Sequence, residues 1–151
     1  MEIAELEAEA VALQLATFDE NTALRLGYVL VDLALAEDLP VVIDIRTADR
    51  TLFHVALPGS APLNALWARR KSNTAFLFQE ASLLVGKRHR AKGESLDRHG
   101  LDTAEYADSG GAVPIRVMGG GVVAVATVSG LPQVEDHRLV VRALGQFMAS
   151  A

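Results

Sequence analysis

Five residues between positions 67 and 73 carry most of the chemistry this chain could do: Trp67, Arg69, Arg70, Lys71 and Asn73. They lie in NALWARRKSNTAF (64–76), whose spacing predicts a helix over 62–79. Its apolar stripe runs through Leu63, Leu66, Trp67, Thr74, Leu77 and Phe78. Arg70 follows Trp67 by three residues and Lys71 by four, so both cations flank that stripe. Two cations held side by side and partly out of water repel, and each loses hydration. Something anionic must compensate. One answer is an acid of the protein, either Asp44 or an acid of a neighbouring subunit. The other is a bound carboxylate or phosphate, which Arg grips as a fork. Trp67 then serves as a flat wall for a ligand, or simply as core.

A second candidate is VSGLPQVEDH (128–137), a strand that runs through Gly130 into a helix N-terminus. Free backbone N–H groups there favour an anion. The strings GxxxxGK[ST] and GxGxxG are absent. Glu135 and Asp136, in the first turn, already complement the helix dipole. Asp136 and His137 are site candidates whose alternative role is capping and packing.

The histidines are His54, His89, His99 and His137. No two share i, i+4 spacing, and neither CxxCH nor HExxH occurs. His54, on a strand opposite Asp44, would be held in one tautomer, an arrangement used in catalysis and in ordinary pairing alike. His89 falls in the basic run GKRHRAK (86–92) and reads as solvated. No Ser lies on a nucleophile elbow, so no hydrolase triad can be assembled. The chain has no Cys, which removes disulfides, thiol catalysis and thiolate metal sites.

The elements that must position these residues follow from periodicity. Helices are expected over 2–16 and 19–39, the second capped by Asp19 and buried on more than one side. Arg25 and Asp32 mark its wetter side. Residues 41–57 read as a β-hairpin. A three-residue loop, Ala48-Asp49-Arg50, puts Ile45 opposite Phe53, Ile43 opposite Val55 and Asp44 opposite His54. Helices follow over 62–79 and 82–93, then a turn-rich stretch over 93–114 with one or two short helices. A second hairpin spans 113–130, turning at Gly119-Gly120-Gly121. The last helix spans 132–148, with Pro132 placed like an N1 proline. Two hairpins with helices between them make an α+β fold with a mainly antiparallel sheet flanked by helices. The 151 residues, half of them hydrophobic, suit a single domain over 1–151.

Charge narrows the partners. The net charge of −5 argues against nucleic acid. Residues 1–40 hold nine acids and one base, whereas 69–98 hold eight bases and three acids. The basic region reads as a solvated face, or as a surface for an anion or for the acidic half of a neighbouring subunit. The apolar run 22–36 contains Arg25 and Asp32 and is short for a membrane span. The acidic N-terminus is unlike a secretory signal. A soluble, cytoplasmic protein with no membrane partner is expected.

Two blocks carry a family resemblance: LPGS-P-N--W-RRKSNT--F-F--SL-VG over 57–86 and GG-VPIRV-G-GVVAV-TVSGLP--EDH-LVV-AL over 110–144. Together they resemble the heme-degrading-domain-like family, which includes HbpS, GlcG and PduO C-terminal-type proteins. Within it they look most like the branch called uncharacterised protein family 0303. The resemblance implies a profilin-like or PAS-like sheet of about five strands. It also implies a homo-oligomer, a dimer or a larger ring, and some relatives are linked to heme. Trp67, Arg69, Arg70, Lys71, Asn73, Asp136 and His137 stand where the family pattern has the same residues. No resident metal is expected, and heme is the one cofactor the resemblance suggests. The leading expectation is therefore an oligomeric small-ligand-binding protein with an anion pocket around Arg70 and Lys71, its sites including Asp44 and His54. The rival enzyme reading puts heme propionates on the Arg/Lys cluster and iron on a histidine. A third reading is an assembly protein with no ligand.

Overall fold

In the computed structural model, which describes residues 1–150, the first hairpin has the register that its apolar alternation predicts. Strands β2 (Val42–Arg46) and β3 (Thr51–Ala56) pair antiparallel. Ile43 lies opposite Val55, Ile45 opposite Phe53 and Asp44 opposite His54. The loop differs from expectation. A bulge after Ile45 brings Arg46 opposite Thr51, so the connection is 47–50 rather than 48–50. Thr47 is the cause: its N–H donates to the Arg50 carbonyl at 2.9 Å and its hydroxyl to the Asp49 carboxylate at 2.6 Å. That side-chain chemistry closes the loop without glycine.

The second hairpin joins β4 (Ala112–Val117) to β5 (Gly121–Ser129). The sheet order places β5 beside β2, and β4 beside a short strand, β1 (Gln14–Leu15). The β1–β4 pair is parallel and the other pairs are antiparallel. The fold is therefore α+β with a five-stranded, mainly antiparallel sheet. A continuous helix over 2–16 does not form. Helix α1 (Ile3–Ala12) stops so that Leu15 can enter the core and pair with Val117.

Helices cover both faces of the sheet. Helices α2 (Glu20–Ala36) and α5 (Gln133–Ala149) pack on Ile43, Ile45, Val113, Ile115, Ala124, Ala126 and Val128. The α2 N-terminus is fixed by Asp19, whose carboxylate accepts the Thr22 N–H at 2.8 Å. Pro132 sits at the N-cap of α5, one position before the expected N1. Burial of α2 on more than one side is not seen, because Leu24, Tyr28 and Leu35 face outward. Helix α4 (Ser82–Ala91) and a 3-10 turn (Leu96–His99) follow the helix that covers the second face.

That covering helix is α3 (Pro62–Phe78), and of the predicted stripe only Thr74 is fully buried, with Trp67 and Phe78 half-buried. Leu63, Leu66 and Leu77 are 60, 50 and 53 % exposed. The buried face is Ala68, Lys71, Ser72, Thr74 and Ala75. The sheet under it is lined by Ala112, Val125 and Thr127. Small and polar residues on both surfaces let the backbones approach closely, and the hydroxyls of Ser72 and Thr127 meet at 2.8 Å. A leucine face would not fit there.

Candidate functional site

Lys71 turns inward from α3 and is 4 % exposed. Its ammonium donates to the Asp136 carboxylate at 3.0 Å and to the Val128 carbonyl at 3.5 Å. Gly111 makes room for it. A Cβ at that position would lie 2.9 Å from Lys71 Nζ and 2.4 Å from the Val128 oxygen, and φ is +139°. Asp136 leaves the first turn of α5 and also accepts the N–H groups of Leu131 at 2.9 Å and Gly130 at 3.4 Å. Burial is the largest influence on this carboxyl and pushes its pKa up; Lys71 and the two amides pull the other way. The acid that compensates Lys71 thus belongs to the protein, and it is Asp136 rather than Asp44.

Arg70 is different. Its guanidinium lies over the Trp67 ring, 4.2 Å from the centroid. Its buried Nε has no hydrogen-bond partner, and no carboxylate among the described residues pairs with it. The half-buried Trp67 and the Lys71–Asp136 pair line one cavity of about 290 Å3. Asn64, Ser109, Gly130 and Gln133 complete much of its wall. The start of α3 and the turn from β5 into α5 therefore meet at one place. The two stretches singled out in the sequence, 64–76 and 128–137, contribute to the same wall.

The remaining candidates lie elsewhere. Asn73 donates to the Glu105 carbonyl at 2.8 Å and pins the loop before β4. Arg69 faces solvent. Asp44 and His54 form a separate group on the sheet. His54 Nδ1–H donates to Asp44 at 2.9 Å, and Arg46 Nε donates to the same carboxylate at 2.8 Å. His54 is therefore held in the tautomer that leaves Nε2 bare, with its side chain 41 % exposed. His137, next to Asp136, points the opposite way. Its Nε2–H donates to Glu9 of α1 at 2.7 Å, its Nδ1 is orphaned, and burial lowers its pKa. It lines a cavity of about 10 Å3, room for one water at most.

Sequence reasoning missed Ser109, Gln133 and Asn64, because polar residues in loops and at helix ends look alike until the chain is folded. It also misjudged His89, which is buried rather than solvated.

The fold defines the class: an α+β protein whose mainly antiparallel sheet of five strands lies between two helical layers. The chain belongs to the HbpS-like family, whose model, described as haem degrading protein HbpS-like, matches residues 18–145. A UPF0303 protein of Streptomyces coelicolor is 50 % identical over 97 % of this chain and 93 % of its own length. The crystal structure of Ybr137w is similar with a TM-score of 0.91 at 31 % identity, covering 99 % of this chain and 90 % of that one. A PduOC:heme complex is similar with a TM-score of 0.72 at 18 % identity, covering 85 and 94 % of the two chains, a likeness of fold alone. No helix among the described residues is long and apolar enough to cross a membrane.

Proposed function

We propose that this protein binds a compact organic carboxylate or phosphate in the cavity between α3 and the β5–α5 turn. One observation carries the reading: Arg70, a partly buried cation with no acid partner among the described residues, stacks on Trp67, and Trp67 lines the cavity of about 290 Å3. Its charge and its fork of donors match an oxyanion. Lys71 and Asp136 neutralise each other and shape the floor. The cavity is at the small end for a ligand site, which favours a compact molecule.

Heme fits this chain less well. His137 has its Nε2 engaged and its ring buried. His89 is buried between Asp108 and His99. His54 offers a bare Nε2, but no cavity described above contains it. Within one chain, these residues do not build a pocket for the macrocycle.

The experiment compares small carboxylates and phosphate with hemin on the same protein. Carboxylate or phosphate should raise the melting temperature. Arg70→Ala and Trp67→Ala should remove the rise, and Arg70→Lys should restore only part of it. Hemin should give no Soret change that depends on a histidine. A stabilisation indifferent to Arg70, or a sharp Soret band lost in His54→Ala, overturns the reading.

We also propose self-association through the outward leucines of α3. Leu63, Leu66 and Leu77 are exposed on one face of α3, on either side of Arg70 and Asn73.

A further inference from the structure

A second set of ionisable groups lies outside the anion cavity. His89 lies in the last turn of α4, His99 ends the 3-10 turn, and Asp108 lies in the loop before β4. Asp108 accepts His89 Nδ1–H at 2.8 Å, and the Nε2 atoms of His89 and His99 are 3.0 Å apart. We propose that His89 and His99 bind a divalent late first-row metal ion, zinc being the probe, with Asp108 as the positioning residue.

The spacing is the first argument. Two nitrogens bound to one such ion at about 2.0–2.1 Å sit about 2.9–3.4 Å apart at right-angle to tetrahedral geometry. The orientation of His89 is the second. A carboxylate on Nδ1–H fixes the tautomer, leaves the Nε2 lone pair free and raises its basicity, as behind many metal-ligating histidines. The His89 ring cannot turn away, because it is 5 % exposed and packs edge-on to Phe78 at 5.9 Å.

His99 is the mobile partner. Its ring is exposed and also meets Phe78 edge-on, at 5.1 Å. The two imidazoles are tilted by 34° with centroids 5.1 Å apart, so the contact without metal is a hydrogen bond from His99 Nε2–H to His89 Nε2. A turn of the exposed His99 ring brings its nitrogen to the shared point. Its proton moves from Nε2 to Nδ1 through solvent, with no net proton gained or lost.

The surroundings accept an ion. A cavity of about 190 Å3 opens beside both rings, walled also by Glu80, Glu94, Arg88 and Lys92. Arg88 is engaged by Glu7 at 3.0 Å and Glu80 at 3.7 Å, and Arg90 stands 4.0 Å from Asp108, which leaves Lys92 as the cation without an acid partner. No set of three ligating side chains converges among the described residues. The protein therefore supplies two nitrogens, and the open positions go to water, Glu94 being engaged by Arg98 at 3.3 Å. Imidazole donors without thiolate suit zinc, copper or nickel.

The test is zinc titration of the full chain after chelator treatment, followed by calorimetry. One ion per chain should bind. His99→Ala, at an exposed position, should weaken binding at least about 30-fold with an unchanged circular-dichroism spectrum, and Asp108→Asn by about 10- to 100-fold. Copper loaded into the same site should show two imidazole nitrogens by electron paramagnetic resonance. No uptake by the wild type, or equal affinity in His99→Ala, overturns the proposal and leaves the contact a hydrogen bond only.

Discussion

Lys71 and Asp136 are the residues on which the candidate site depends for shape. Removing one partner of a buried pair strands the other charge, at a cost of about 3–5 kcal/mol. Lys71→Met should therefore destabilise strongly at neutral pH. The sign of the pH dependence follows from Asp136. Its carboxyl already stands above its ordinary value of 3.8 because burial outweighs its partners, and loss of Lys71 removes an influence that lowers it. A carboxyl with a raised folded-state pKa contributes stability in full below its unfolded value and loses it as pH rises through the folded one. Melting curves from acid to neutral pH should show the gap between variant and wild type widening as pH rises. A gap that is constant with pH would contradict this account of the pair. The basic pair was legible in the sequence as an anomaly, but its resolution was not. Lys71 is answered by an acid 65 positions away, which no local spacing reveals. The Asp44–His54 pair was legible because strand register follows from alternation.

Among the elements, α3 shows why a helix can be read correctly and turned the wrong way. Its limits were close to the predicted 62–79, since Pro62 at N1 and the left-handed Gln79 mark the ends. Its facing was not, because leucine spacing names an apolar side without saying whether sheet or solvent meets it. The sheet surface decided, being lined by Ala112, Thr127 and the close backbone at Gly111. Outward leucines give the element its own test. Leu66→Arg should leave the fold of the single chain intact, with an unchanged circular-dichroism spectrum, since Leu66 is exposed in it. If α3 joins copies of the chain, light scattering should show a lower mass for the variant. An unchanged mass would assign that face to solvent. The loop of the first hairpin escaped prediction for a related reason: Thr47 hydrogen bonds set its length, and apolar pattern does not encode them.

At the scale of the whole molecule, the class of the fold and its two hairpins were readable from the order of elements. The sheet order was not, because it depends on β5 lying between β4 and β2 and on a two-residue β1. That small strand has its own consequence. The segment from Ile3 to Leu15 is tied down by two ladder positions, by Leu6 against Leu83 and Leu84, and by the contact from His137 to Glu9. A helix of this length is marginal on its own in water. The segment should behave as a separate opening unit, whose amides exchange with deuterium well before those of β5 and α5. Equal protection across the chain would refute it. Each opening would bare the outer edge of β4 at Arg116 and Val117, so the segment acts as a removable guard against edge-to-edge aggregation.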